Sequence, residues 1–226
     1  KGANALVTGA PKTDPFVALT QRKVQLPESW SCLKGKTVFL WNSWYDIAAS
    51  SVRFFDELLN WFEEHKDCGL IWRNHPMTDT VTKLYHPNQY AGYQKNLRRA
   101  EKAENIVIDR ETSCNAAFSA SDAMISDWSS LLPQYLLIDK PALWIDNHAV
   151  QFTGEEFIES RWMERGETID DLFAFMERIR SGEDRNAILR RMIRKRDIPL
   201  ADGRCGVRVC EELWREMHQE DLELTI

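Results

Sequence analysis

The 226-residue sequence predicts an α/β fold in which a parallel β-sheet is flanked by helices. From residue 36 onward, short apolar runs alternate with amphipathic stretches, a pattern typical of β-α-β units. After about residue 165 the apolar residues recur only at helical spacing, which predicts a helical C-terminal segment packed on the flank of the sheet. With 43% hydrophobic and 28% charged residues, the chain has the composition of an ordinary globular protein.

The predicted strands and helices follow one another in a regular order. Five apolar runs predict buried strands at residues 36–43, 69–76, 105–110, 122–126 and 141–146. Between and after them, helices are predicted at residues 51–65, 94–103, 114–121, 130–139, 169–179, 188–193 and 206–217. The segment 77–90 is polar and rich in turn residues, and its His86-Pro87 pair indicates a turn.

Residues 1–30 differ from the rest of the chain. They contain a strand-like run, "NALVTG", then a Gly-Ala-Pro turn and an Asp-Pro pair that is expected to end the extended segment. A polar segment follows. We predict that they are a connector entering one α/β domain formed by residues 31–226. Because the sequence begins with Lys and enters abruptly on a strand-like run, we expect an N-terminal half to precede it in a longer protein.

Charge and cysteine content exclude several classes of protein. A net charge of −6 argues against a nucleic-acid binder, which usually carries a basic excess. The five cysteines are odd in number and form no C-x-x-C pair, so the sequence predicts reduced thiols and a cytoplasmic protein. No run reaches the roughly 20 apolar residues that span a bilayer.

A basic run, "RRMIRKR" at 190–196, is a candidate segment for binding a membrane surface. Its five positive residues accompany an apolar helix face and could dock on anionic lipid. The interpretation we favour is a solvated helix face, with peripheral association at the inner face of the cell membrane as the alternative.

Polar residues just past the strand ends are the candidate functional residues, because ligands of open parallel sheets bind beyond the carboxyl ends of the strands. Arg73 and His75 share one such loop and suit an anionic diphosphate. Asp127, Trp128, Ser129 and Ser130 follow the fourth strand, and the two serines open a helix whose free amides could hold phosphate. The alternatives are a surface arginine beside a histidine that caps its own backbone, and a helix N-cap with no ligand.

Motifs for other ligands are absent from the sequence. Neither G-x-G-x-x-G nor G-x-x-x-x-G-K-[ST] occurs, which disfavours a dinucleotide-binding domain and a P-loop NTPase. Asp127 and Asp146 have no recognisable metal spacing, so the sequence assigns no metal ligand and no cofactor, and metal dependence stays open.

Four stretches together resemble the CDP-glycerol glycerophosphotransferases, the family of teichoic acid and capsule polymer polymerases. They are "VTGAPKTDPF" (7–16), "LIWRNHP" (70–76), "SDAMISDWSSLLPQYLLIDKPALWI" (121–145) and "DGRCGVRVCEEL" (202–213). The third is the most specific, because it is similar to the family's S-D-x-x-I-T-D-Y-S-S-x-x-F-D-Y run followed by Lys-Pro and an apolar strand. The resemblance spans nearly the whole chain.

The resemblance implies a glycosyltransferase-B architecture with a Rossmann-like sheet, of which this chain is the C-terminal, donor-binding half. The family's R-x-H-P motif falls on Arg73, His75 and Pro76, and its D-Y-S-S motif falls on residues 127–130, with Trp128 in place of tyrosine. Those positions surround the CDP diphosphate in the family, and we take His75 as the catalytic candidate. The late D-G-x-x-x-x-R motif falls on residues 202–208. The family's histidine-glycine-threonine-proline motif, which supplies a base from the N-terminal half, does not occur in this sequence.

The expected function is therefore donor binding in a transferase. The parent enzyme would move an alditol-phosphate unit from a CDP-activated alditol to a glycan or lipid-linked polyol-phosphate acceptor, in cell-wall or capsule polymer synthesis. Two alternatives remain open at this stage. One is a UDP-sugar glycosyltransferase or epimerase of the same architecture, and the other is a non-catalytic module that binds the donor or a partner protein.

Overall fold

A computed structural model describes residues 5–22, 24–45, 49–148 and 158–218. The described part of the chain has the predicted α/β fold, with a six-stranded sheet in the order β3-β2-β1-β4-β5-β6. Every pair of neighbouring strands in it is parallel. The strands are β1 Thr37–Ser43, β2 Cys68–Asn74, β3 Ile106–Ile108, β4 Ala123–Ser126, β5 Ala142–Ile145 and β6 Glu164–Gly166.

Helices cover both faces of the sheet. Those in the described residues are α1 Asp14–Leu19, α2 Ser50–Arg53, α3 Phe55–Glu64, α4 Thr78–Tyr85, α5 Pro87–Lys102, α6 Asn115–Ala120, α7 Leu131–Leu136, α8 Ile169–Arg180, α9 Ala187–Asp197 and α10 Cys205–Met217. Helices α3, α5 and α8 pack on one face, while α6, α7 and α9 pack on the other. The central strands are mostly apolar, with their polar residues near the strand ends, because both of their faces are buried, as is usual for parallel sheets.

Two tryptophans show how the strand pattern forms the core. Trp41 on β1 and Trp72 on β2 are register partners, and their rings stack with centroids 5.7 Å apart. Both side chains are fully buried. The indole N–H of Trp41 donates to Ser50 Oγ at 2.8 Å, which supplies the partner that a buried indole needs.

The sixth strand corrects the prediction that only helices follow residue 165. β6 is three residues long and pairs with β5 at the sheet edge. Its Glu-Arg-Gly sequence has no apolar residue, because an edge strand of this length contributes little to the core. Gly166 is buried there, and a Cβ at that position would approach Asp171 Cβ at 2.9 Å.

The prediction of a polar segment without a helix at 77–90 was wrong, although His86 does lie outside the helices on either side of it. The segment contains helix α4, and Pro87 is the first residue of α5, where a missing N–H costs no hydrogen bond. The predicted helix at 51–65 is divided, because Phe54 leaves the helical conformation with φ −130° and ψ 12°.

The connector forms no strand in its described residues, and Asp14 begins helix α1 rather than ending a segment. The Asp14 carboxylate accepts hydrogen bonds from the backbone N–H groups of Cys205 and Gly206, at 3.1 and 2.8 Å. These bonds lower the pKa of Asp14. They attach the connector to the first turn of α10, where free amide donors favour an acceptor.

The basic run at 190–196 is largely neutralised within the fold. Arg190 is 1% exposed and forms ion pairs with Asp139 and Asp184, at 2.9 and 2.7 Å. Arg191 also pairs with Asp139, and Arg196 pairs with Glu159. This correction removes Arg190 from the predicted solvated face. In the part of the chain that the structure describes, no helix has the length and apolar character needed to cross a membrane.

Candidate functional site

A cavity of about 620 Å³ opens at the carboxyl edge of the sheet. It lies where β1 adjoins both β2 and β4, so that the strand order reverses, which is the usual ligand position in open α/β sheets. Its lining comes from the ends of β1, β2 and β3, from α5 and from the start of α7: Asn42, Trp72, Arg73, Asn74, His75, Pro76, Asp79, Tyr93, Leu97, Ile108, Asp109, Arg110, Glu111, Ser129, Ser130 and Leu131.

Arg73 is held in place at the end of β2. Its Nη1 donates to Asp109 Oδ2 at 2.5 Å and to the Glu111 carbonyl oxygen at 3.1 Å. The arginine side chain is 17% exposed and the aspartate side chain is fully buried. Because one edge of the guanidinium is fixed by Asp109, its remaining N–H groups are pre-positioned in the cavity wall, where they can donate to an anionic ligand.

His75 follows on the same loop and has a defined tautomer. Its Nδ1 accepts a hydrogen bond from the backbone N–H of Met77 at 3.1 Å, so in the neutral ring the proton lies on Nε2. Partial removal from water lowers the pKa of His75 below its ordinary value of 6.5. At neutral pH the imidazole is therefore an uncharged Nε2–H donor. Its ring also contacts Tyr45, with centroids 4.6 Å apart.

Ser129 and Ser130 precede the first residue of α7 and line the same cavity. Ser129 Oγ accepts the Leu131 N–H at 3.0 Å, and Ser130 occupies the N-cap position without a side-chain capping bond. Ser129 Oγ thus satisfies the first N–H of α7 from the position before the N-cap, and its own hydroxyl proton remains available as a donor. The structure thus brings both serines into one cavity with Arg73 and His75.

Asp127 lies beneath the cavity wall, with no exposed area. Its carboxylate accepts hydrogen bonds from the backbone N–H of Trp44 at 2.7 Å and from the N–H and Oγ of Ser50 at 3.0 and 2.8 Å. Burial raises the pKa of Asp127 to about 6, although these donors act in the opposite direction. The carboxylate therefore holds the ends of the segment between β1 and α2, which differs from the direct ligand contact predicted from sequence.

Trp128 points away from the cavity that Arg73 and Ser129 line. It is 38% exposed and its ring meets Trp144 edge-on, with centroids 5.8 Å apart. Together with residues from α7 and residues 158–163, it lines a separate apolar cavity of about 280 Å³. Trp128 and Ser129, although neighbours in the sequence, thus line two different cavities.

Sequence reasoning missed Tyr93 and Asp79, which come from helices α5 and α4. Tyr93 accepts a hydrogen bond from Asn74 Nδ2 at 2.7 Å, and burial raises its pKa to about 12. The Asn74 amide oxygen in turn accepts from Ser43 and Thr78, at 2.8 and 3.0 Å. Only the apolar stripe of α5 could have indicated an inward-facing tyrosine.

The remaining family motif positions have structural contacts. Lys140 of the Lys-Pro pair is partly buried and donates to the carbonyl oxygens of Phe118 and Ser119, at 2.7 and 3.0 Å, which satisfies the C-terminus of α6. Burial lowers its pKa to about 8. Arg208 of the late motif forms an ion pair with Asp202, and neither residue lines the cavity.

Among the described residues, one group could ligate a metal ion. Asp146, His148 and Glu167 present ligand atoms within 4.8 Å of one another. However, Arg165 Nη2 lies 2.5 Å from Asp146 Oδ2, and the other oxygen of Asp146 accepts the His148 N–H at 2.7 Å. A guanidinium therefore already occupies the position of a cation, and we assign no metal here.

A parallel sheet with a polar cavity at its switch point defines an α/β domain with a Rossmann-like sheet. Residues 1–215 match the family model described as CDP-glycerol:poly(glycerophosphate) glycerophosphotransferase, and the chain belongs to this family. The family resemblance predicted from the motifs is thereby confirmed. No curated protein matches the chain.

Solved structures share the fold at low sequence identity. A structure of the wall teichoic acid polymerase TagF superposes with a TM-score of 0.61 at 15% identity, covering 96% of this chain and 53% of that one. A UDP-N-acetylglucosamine 2-epimerase gives 0.59 at 15% identity, covering 97% and 53%. A glycosyltransferase from Rickettsia africae gives 0.52 at 13% identity, covering 88% and 54%. The chain thus spans about half the length of each of these structures.

Proposed function

We propose that the chain is the donor-binding domain of a glycerophosphotransferase-type polymerase that uses a CDP-activated alditol. The observation that carries the proposal is the cavity at the switch point, whose lining combines the fixed guanidinium of Arg73 with Ser129 and Ser130 at the start of α7. Its volume of about 620 Å³ is in the range of small-ligand sites. A TagF structure after a soak with CDPG supports this donor class by analogy.

In this proposal the cavity stabilises charge on the departing CMP phosphate. Arg73 donates from a guanidinium already oriented by Asp109, and such pre-positioned donors lose little freedom when charge develops. The neutral imidazole of His75 donates from Nε2, which makes it the candidate for hydrogen-bonding the leaving phosphate. Trp128 lines the separate apolar cavity beside α7. It would contact the nucleotide only if the ligand extended beyond the start of that helix.

The acceptor and the base that deprotonates it belong to another part of the enzyme in this scheme. The family's histidine-glycine-threonine-proline motif is absent from this sequence, so no residue here is assigned as that base. We place the polymerisation in the cytoplasm, with peripheral association at the inner face of the membrane where a lipid-linked acceptor would be reached.

Calorimetric titration with CDP and UDP tests the proposal. We expect CDP to bind more tightly than UDP, and Ser129→Ala/Ser130→Ala to weaken CDP binding by about tenfold through lost phosphate hydrogen bonds. Ser181→Ala is the matched control, because Ser181 is exposed and follows the last turn of α8, at the opposite edge of the sheet. Absence of cytidine nucleotide binding by the wild-type chain would refute the proposal.

The epimerase structure supports a second candidate, a domain that binds a UDP-sugar. Its fold matches this chain about as well as the fold of TagF does, so the fold alone does not distinguish a UDP-sugar donor from a CDP-alditol donor. Preference for UDP over CDP in the same titration would favour this candidate. Binding of neither nucleotide would favour a non-catalytic module that contacts a partner protein.

A further inference from the structure

Asn74 lies between the two residues that the sequence assigns to the site at the end of β2. It is the last residue of that strand, and it lines the same cavity as Arg73 and His75. The family's R-x-H-P motif leaves its position unspecified, and the proposed function gives it no role. Its side-chain amide is nevertheless hydrogen-bonded to three other elements of the fold, β1, α4 and α5.

These hydrogen bonds fix the direction in which the amide points. Asn74 Oδ1 accepts from Ser43 Oγ at 2.8 Å and from Thr78 Oγ1 at 3.0 Å, while Nδ2 donates to the Tyr93 hydroxyl at 2.7 Å. Ser43 Oγ itself accepts from the indole N–H of Trp72 at 3.3 Å, so its own proton is available for Asn74. With the amide turned over, the hydroxyl of Ser43, which is 2% exposed, would lose this acceptor.

The bond to Thr78 closes the turn that carries His75. The backbone N–H of Thr78 donates to the carbonyl oxygen of His75 at 3.0 Å, and the N–H of Met77 donates to His75 Nδ1 at 3.1 Å. The side chains of Asn74 and Thr78 join the two ends of this turn, while β1 and α5 hold Asn74 from outside it. Because a turn with joined ends has few alternative conformations, the position of the imidazole depends on the Asn74 amide.

We infer that Asn74 is a positioning residue, whose amide keeps the turn at residues 74–78 in the conformation that leaves His75 Nε2–H free to donate at the cavity. Asn74 acts through the turn rather than through contact with a ligand. Its effect on the imidazole does not depend on which ligand binds. Its effect on nucleotide affinity rests on the proposed function.

Nitrogen NMR of the His75 imidazole in Thr78→Val tests the first effect. Valine keeps the shape of the side chain but removes the hydroxyl that joins the turn, so both ring nitrogens should shift toward the values of a tautomer mixture. The pKa of His75 should also rise toward 6.5, because an open turn returns the ring to water. His75→Gln identifies the signals among the five histidines. Wild-type signals in Thr78→Val would overturn the inference.

Thr82→Val is the matched control for this substitution. Thr82 lies one turn further along α4 and is 2% exposed, as against 1% for Thr78, but it does not line this cavity. The His75 signals should therefore keep their wild-type values in Thr82→Val. Equal shifts in both variants would indicate a general response of α4 and would contradict a specific role for the bond to Asn74.

Tyr93→Phe approaches the same amide from its other end and keeps the test decisive if Thr78→Val does not fold. It removes the acceptor of Asn74 Nδ2, so the His75 signals should again shift. Its control is Tyr90→Phe, one turn earlier on α5, which removes a hydroxyl that donates to Asp79 Oδ1 at 3.2 Å. Equal signals in Tyr93→Phe and the wild type would contradict the inference.

Calorimetric titration with CDP tests the second effect. We expect Thr78→Val to weaken CDP binding by about fivefold and Thr82→Val to leave it unchanged, because only the first variant releases the His75 donor. If the wild type binds CDP and Thr78→Val binds it equally, the turn does not position a ligand donor and the inference fails. If the wild type binds no cytidine nucleotide, the proposed function fails, while the imidazole signals still decide the role of Asn74.

Discussion

The buried carboxylate of Asp127 gives a prediction whose magnitude follows from the structure. Burial raises its pKa from 3.8 to about 6, despite hydrogen bonds from Trp44 and Ser50. A shift of about two pH units corresponds to about 3 kcal/mol at 1.36 kcal/mol per unit. At pH 7 the ionised carboxylate therefore lowers the free energy of unfolding by about this much relative to a pH at which the group is protonated in both the folded and the unfolded state.

The sign of the pH dependence follows from the direction of this shift. Because the pKa in the folded state lies above that in the unfolded state, the folded state binds more protons between about pH 4 and pH 7. The contribution of Asp127 to the free energy of unfolding should therefore rise as the pH falls through this range. Asp127→Asn keeps the shape and one acceptor oxygen but cannot titrate.

Urea unfolding of both proteins between about pH 4 and pH 8 measures the effect. We expect the stability of the wild type relative to Asp127→Asn to increase by up to about 3 kcal/mol from the top to the bottom of this range. Any fixed cost of the amide shifts all points equally and leaves the slope unchanged. A constant difference would refute the reasoning, because it would mean that the three donors fully offset burial.

Asp171 provides the opposite case as a control. Hydrogen bonds from the backbone N–H groups of Glu167 and Thr168 lower its pKa, so its contribution is present at neutral pH and is lost as the pH falls below about 4. The wild type relative to Asp171→Asn should therefore show a flat difference between about pH 5 and pH 8. A rise on acidification there would indicate that the method does not resolve single carboxylates.

Two further substitutions test the candidate site and the fold. Arg73→Lys keeps the charge but loses the planar fork held by Asp109, and CDP affinity measured by calorimetry should fall by about tenfold with little change in Tm; unchanged affinity would contradict the assigned role. Arg190→Ala leaves the carboxylates of Asp139 and Asp184 without their buried partner, and urea unfolding should show a loss of about 3–5 kcal/mol. A loss below about 1 kcal/mol would place this pair among ordinary surface ion pairs.

The sequence predicted the fold wherever burial dictated residue type. Strands β1 to β5 are covered on both faces, so each needed a run of apolar residues that periodicity detects. Edge strand β6 and helix α4 escaped detection because neither depends on such a run. Glu164 and Arg165 form ion pairs instead, and α4 buries only two threonines, Thr78 and Thr82.

Only those residues of the candidate site that directly follow a strand could be predicted from the sequence. Arg73, His75, Ser129 and Ser130 follow strands and meet at one edge, as parallel topology requires. Tyr93 enters the cavity from the middle of a helix, and helix periodicity does not say which buried residue reaches a cavity. Cavity-lining residues that come from helices, such as Tyr93, can therefore be identified only from the folded structure.

The run Asp127 to Ser130 has its mixed composition because of where β4 lies. β4 pairs with β1 on one side and with β5 on the other, so residues leaving its end can contact both neighbours. The carboxylate of Asp127 reaches the loop after β1, and the indole of Trp128 packs on Trp144 of β5. The hydroxyls of Ser129 and Ser130 are left to face the cavity. An acid, an aromatic and two hydroxyls in four positions thus follow from one strand end that joins two halves of the sheet and forms one wall of the candidate site.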